Sequence, residues 1–178
     1  MLRSNYQSNL TRKERFIFLY GEKQGLERYF DVCKKKVSSA FLVSKAEVNA
    51  LSQIIDILHL NAELIFWNNH QYFCRTLGGI KFLDFYDKQN NIWIEFNGDY
   101  FHANPEIYSV KSIIRNSKGE RKCAFEIWDK EYQSIKSISQ ILGCMPYIIW
   151  EHNWNIKKEE EIAKIKQLYG GGSSNENN

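Results

Sequence analysis

Asp84, Glu95, Asp99 and His102 lie within nineteen residues of one another, a set able to hold a divalent cation and to move a proton. Carboxylates ligate hard cations such as Mg²⁺, and a histidine titrating near neutrality can accept the proton of an attacking water while a metal stabilises phosphoryl charge. Lys81 to Tyr86 and Ile92 to Asn97 are rich in aromatic and β-branched residues, and the polar stretch Asp87-Lys88-Gln89-Asn90-Asn91 divides them, which predicts a β-hairpin. With Gln89-Asn90 at the centre of the turn, Asp84 stands across from Glu95 with Cβ atoms roughly 4.5–5.5 Å apart. With Asn90-Asn91 at the centre, Asp84 faces Asn97 and Glu95 lies on the diagonal. Either register puts both carboxylates on one face and Leu83, Phe85, Ile94 and Phe96 on the other, which is apolar. Opposed like charges destabilise a sheet unless a cation lies between them. The competing reading is an ordinary solvated sheet face. Gly98 then permits a bend, after which Asp99 and His102 come three apart, followed by Asn104-Pro105. The other histidines, His59, His70 and His152, have no such acidic company.

Residues 83–151 resemble the very-short-patch repair endonucleases, a branch of the restriction-endonuclease-like fold. The pattern is Asp84-Phe85, Gly98, Tyr100-Phe101-His102, a helix from about Trp128, Gly143, and Tyr147-Ile148-Ile149-Trp150-Glu151. Gly-Asp-Tyr-Phe-His-Ala-Asn-Pro, residues 98–105, is more similar still to related phage homing endonucleases, whose sites use Glu, Asp, His and Asp. The resemblance implies Asp84 as principal metal ligand, His102 as general base and the Phe96 carbonyl as a second metal contact. It further implies Glu95 and Asp99 as additional acidic ligands or water-orienting groups, Asp129 as the acid opening the following helix, and Glu47 as an upstream helical acid. The implied cofactor is Mg²⁺, with Mn²⁺ as a substitute, and the implied partner is double-stranded DNA. Asn97 occupies the place where many nucleases of the broader fold carry lysine two residues after the glutamate. Asp99 stands where the repair family has a cysteine, which argues against a structural zinc.

Lysine and arginine number 24 against 21 acids, only mildly basic, but the positive charge is clustered at Arg12, Lys13 and Arg15, at Lys34 to Lys36, and at Arg115, Lys118, Arg121 and Lys122. Clustering is what phosphate binding requires, although charge runs are also ordinary solvated faces. The third cluster falls in a polar loop around Gly119 between His102 and Asp129, positioned to reach DNA beside the site. Tyr100 and Phe101 are consecutive aromatics able to wedge into a base stack or to pack in a core.

These groups need a scaffold, and the expected fold class is α/β: a restriction-endonuclease-like mixed sheet flanked by helices. Val48, Leu51, Ile54, Ile55 and Leu58 predict an amphipathic helix over 44–60, with Ser44 as N-cap and Glu47 three residues on, so that Glu47 has a capping-box reading beside the catalytic one. Residues 11–36 predict one or two helices broken at Gly21 and Gly25, with Thr11 and Glu14 as a capping box. Strands are expected at 63–67, 71–77 and 147–150, and helices at 128–142 and 157–168. The domain reading is an N-terminal helical element over 1–40, an endonuclease domain over 41–169 and a disordered Gly/Ser/Asn-rich tail over 170–178. Cys33, Cys74, Cys123 and Cys144 show no metal-site spacing and predict buried free thiols. No leader or apolar run of about 18 residues is visible, which points away from membranes and towards a reducing cytoplasm, that of a bacterial host carrying a phage or mobile element. Three functions are open: a homing-type endonuclease, a mismatch-directed nickase, and a DNA-binding domain without catalysis. A symmetric double-strand cut would need two sites and hence a dimer, and the sequence leaves oligomeric state open.

Overall fold

The structure is a computed structural model and describes residues 12–38, 44–76, 79–115 and 119–170. Side chains of residues 12, 33–38 and 69 lie outside that description, as do Thr11 and the tail beyond Gly170. The chain divides into two compact units, Met1–Leu42 and Val43–Asn178.

In the first unit, α1 (Arg12–Tyr20) and α2 (Glu22–Ser38) form a helical pair. Gly21, at φ 77°, makes the break. Gly25 does not break the helix, contrary to expectation. A Cβ there would come within 2.5 Å of the Phe16 carbonyl oxygen, so glycine at this position lets the two helices approach closely.

The second unit is built on a four-stranded mixed sheet of order β1-β4-β5-β8, with β1 Ile65–Trp67, β4 Phe85–Asp87, β5 Ile92–Asn97 and β8 Tyr147–Trp150. The first three strands run antiparallel, and β8 joins β5 in parallel after a crossover through α4 (Ala124–Leu142). Two small hairpins accompany it: β2 (Phe73–Thr76) with β3 (Gly79–Phe82), and β6 (Ile113–Arg115) with β7 (Arg121–Cys123). Helix α3 (Lys45–Ile57) precedes the sheet, while α5 (Glu151–Ile156) and α6 (Lys158–Gly170) close the unit. The fold is therefore α/β, with mixed sheet and helices as expected.

The period-two pattern of β5 sorts its residues onto two faces. Phe85, Ile92, Ile94 and Phe96 pack with Leu51, Ile54 and Ile55 of α3, Trp154 of α5 and Ile165 of α6. Tyr86 and Trp93 face the other way, towards Ile135 and Ile138 of α4 and Cys74 of β2. Leu83 belongs to this second cluster and not to the apolar face expected for it. The predicted strand over residues 81–86 is in fact two, β3 and β4, interrupted at Leu83-Asp84, so face alternation does not carry across the break. The β6–β7 hairpin was expected as loop; its three-residue strands are too short and too basic to signal themselves. Among the described residues Cys74 is buried, Cys123 and Cys144 are half-buried, and no helix is long and apolar enough to cross a membrane.

Candidate active site

The hairpin register is Phe85↔Ile94, Tyr86↔Trp93 and Asp87↔Ile92. One step further puts Asp84 opposite Glu95, the arrangement expected for a turn centred on Gln89-Asn90. Asp87 builds that turn by accepting the main-chain N–H groups of Gln89 and Asn90 at 3.0 and 3.1 Å, and Asn91 closes it at φ 52°. At the open end of the hairpin the Phe96 N–H donates to Asp84 Oδ2 at 2.9 Å. This fixes Asp84 where β3 and β4 part.

Asp84 meets Glu95 there, and Glu47 lies within electrostatic reach of both. Glu47, on the first turn of α3, is 8% exposed; its carboxylate takes the Ser44 N–H, and Oε1 is buried without a hydrogen-bond partner. The Ser44 side chain does not cap the helix, so only half of the predicted capping box forms. Burial, and secondly the charge of Asp84, push the Glu47 carboxyl up to about 8. Glu95 is held well above the carboxylate range by burial and by Asp84, although Trp93 Nε1–H donates to it at 2.5 Å. Asp84 is raised by burial, against the opposing help of the Phe96 N–H, the nearby His102 and a hydrogen bond with Glu95. Three carboxyls that resist ionising together are a place where positive charge would be strongly favoured.

His102 approaches from the loop after β5. A helical turn from Gly98 to Ala103 positions it: His102 N–H donates to the Gly98 carbonyl at 3.2 Å, and Ala103 ends the turn at φ 52°. Trp128 of α4 ties this loop down by donating Nε1–H to the Ala103 carbonyl at 2.7 Å. His102 Nδ1 then meets Glu131 Oε1 at 2.6 Å. A proton on Nδ1 satisfies that bond and leaves the Nε2 lone pair free to accept another.

Glu95, Asn97, His102 and Glu131 share a cleft of about 400 Å³ between β5 and α4, into which Lys81, Lys122 and Lys130 also project. Glu131 is the residue sequence reasoning missed. It lies on the α4 face with Ile127, Ser134, Ile135 and Ile138, all cleft-lining, whereas Asp129 is exposed and off that face. The helical acid at the histidine is thus Glu131 in place of Asp129; the i, i+4, i+7 spacing of residues 127, 131 and 134 was the available signal. Asp99 Oδ1 accepts from Asn104 Nδ2 at 2.7 Å and organises the loop.

The remaining expected contacts divide. Phe101, 60% exposed, stands at the lip of the cleft, and Tyr100, 42% exposed, packs edge-on against it while its hydroxyl accepts the Arg115 N–H at 3.1 Å. Arg115 and Arg121 pair across the β6–β7 hairpin and are exposed, and Lys122 lines the cleft. Lys118, with the centre of that loop, lies outside the described residues.

Among the described residues, no three histidine, cysteine or acidic side chains are already drawn together as a metal-binding group. The donor chemistry nonetheless fits a hard cation: Mg²⁺ commonly takes one or two carboxylates with waters and substrate phosphate, and Glu47 Oε1 is an acceptor lacking a donor. Comparison with protein-family models, curated proteins and solved structures gives no match.

Proposed function

We propose that this protein is a Mg²⁺-dependent DNA endonuclease of the restriction-endonuclease-like type, with a homing-type enzyme as its nearest counterpart. The observation that carries the reading is the facing of Asp84, at the β3–β4 break, and Glu95 of β5, with Glu47 of α3 in electrostatic reach, beside a histidine whose Nδ1 is occupied by Glu131.

Asp84, Glu95 and Glu47 would hold the cation, which, when bound, supplies charge stabilisation to the phosphoryl oxygens. His102 Nε2 accepts the proton of the attacking water, and Glu131 keeps the imidazole oriented and stabilises its charged form. The Phe96 N–H holds Asp84 in place from the main chain. Lys81, Lys122 and Lys130 offset the acids and draw the DNA backbone into the cleft. Asn97 supplies no charge, so the proton transfer rests on His102.

Incubating the full chain with supercoiled plasmid and phage genomic DNA, with and without Mg²⁺, tests this. Conversion to open-circular or linear DNA is expected for the wild type and lost in Asp84→Ala and His102→Ala, with DNA still retained in a gel shift. Loss of binding together with cleavage in both variants would remove the assigned roles.

A further inference from the structure

The cleft contains more than a phosphodiester needs. Besides its acids and lysines it is walled by Phe82, Ile127, Ile135 and Ile148, from the β2–β3 hairpin, α4 and the sheet, with Trp93 and Ile114 buried behind them. The outside of a paired duplex offers sugar and phosphate, and the faces of its bases are covered by their neighbours, so such a wall has nothing to contact there. A volume of about 400 Å³ is of small-ligand size and suits one nucleotide, not a duplex segment. Because Glu95 and His102 line the same cleft, a phosphate brought to them carries its own base towards the apolar wall.

We propose that the cleft receives a single unstacked nucleotide, so that the preferred substrate is DNA whose strands are separated at the cut. The wall takes the base, Asn97 offers polar groups to its edge, and the three lysines take the flanking phosphates. Phe101, exposed at the lip, is placed to cover the gap the base leaves in the stack. This rests on the nuclease reading for its chemistry, but the binding it predicts can be measured apart from cleavage.

The test uses the full-length Asp84→Asn variant with Mg²⁺ and three fluorescent DNAs of randomised central sequence: fully paired, with an unpaired central bubble, and with the same bubble made abasic. Anisotropy titration should show the bubble bound at least about tenfold more tightly than either other DNA, the worth of one stacked base. Ser134→Trp added to that protein, filling the cleft, should abolish the preference, and Ser134→Ala should keep it. Equal affinity for the bubble and the abasic bubble, or for the bubble and paired DNA, overturns the proposal. Wild-type protein on the same DNAs separates the two readings. No cleavage with Mg²⁺ or Mn²⁺ while the base-dependent preference persists removes the nuclease and leaves the cleft. Equal cutting of all three without any binding preference removes the cleft proposal and leaves the nuclease.

Discussion

The second unit buries acids in two contrasting ways. Asp87 and Glu161, 2% and 3% exposed, are surrounded by donors. Asp87 takes two main-chain N–H groups and the Asn90 amide, and Glu161 takes the Tyr147 hydroxyl at 2.6 Å and the Lys164 ammonium at 2.9 Å. Half-buried Asp84 and Glu95 instead face each other, buried Glu47 interacts electrostatically with both, and one Glu47 oxygen has no donor. Burying a carboxylate is costly unless hydrogen bonds or opposite charge compensate. The first pair is compensated within the chain, which marks it as structural. The second group also takes a donor at each acid, but its members raise one another's carboxyls, and the proposed cation site rests on that like-charge crowding.

The largest effect that can break this contrast is catalytic. Asp84→Asn keeps the shape and the Phe96 hydrogen bond but removes the charge, and cleavage should fall by roughly 10³-fold or more if several kcal/mol of transition-state stabilisation depend on it. Gel quantification of plasmid conversion measures this. A variant that cuts within a few fold of the wild type would place Asp84 with the structural acids.

Next in size is the acid behind the histidine. Glu131→Gln should lower kcat by about 10–100-fold, as loss of an orienting partner commonly does, with KM little changed. Asp129→Asn, exposed on another face of α4, should stay within about twofold, as surface substitutions usually do. Steady-state rates on one oligonucleotide duplex compare the two. The reverse ranking would restore the acid that the resemblance implied.

That substitution of one acid for another shows where the sequence was legible. The hairpin and the placing of Asp84 and Glu95 on one face follow from period-two patterning and a polar turn, both local properties, whereas the choice between its two registers needed the structure. Glu47 was ambiguous because a helix N-terminus uses glutamate for capping and a metal site uses it for ligation, and no local property separates the two. Leu83 and the 81–86 segment were misread because a strand break carries no composition signal. The lysines of the cleft could not be grouped from sequence, since Lys81, Lys122 and Lys130 come from β3, β7 and α4 and meet only in the folded unit.

The smallest effect is thermodynamic, and it separates the two kinds of buried acid without any assay of cutting. A carboxyl raised from 4.5 to about 8, as Glu47 is, binds more protons in the native than in the unfolded state throughout that window. Its contribution to stability is therefore full below about pH 4.5 and declines as pH rises towards 8. Glu47→Gln keeps an acceptor for the Ser44 N–H and cannot ionise. In metal-free buffer it should raise the melting temperature more at pH 8 than at pH 5, and Mg²⁺ should stabilise the wild type at pH 8 more than this variant. Glu161→Gln should act oppositely, lowering the melting temperature by roughly 2–8 °C, because an amide in place of the carboxylate presents donors to Tyr147 or Lys164 and leaves one unmatched, at about 1–2 kcal/mol. Calorimetric melts of the three proteins at both pH values decide it. If Glu47→Gln is destabilising at pH 8 and indifferent to Mg²⁺, Glu47 is an N-terminal cap like any other, and the acid cluster shrinks to Asp84 and Glu95.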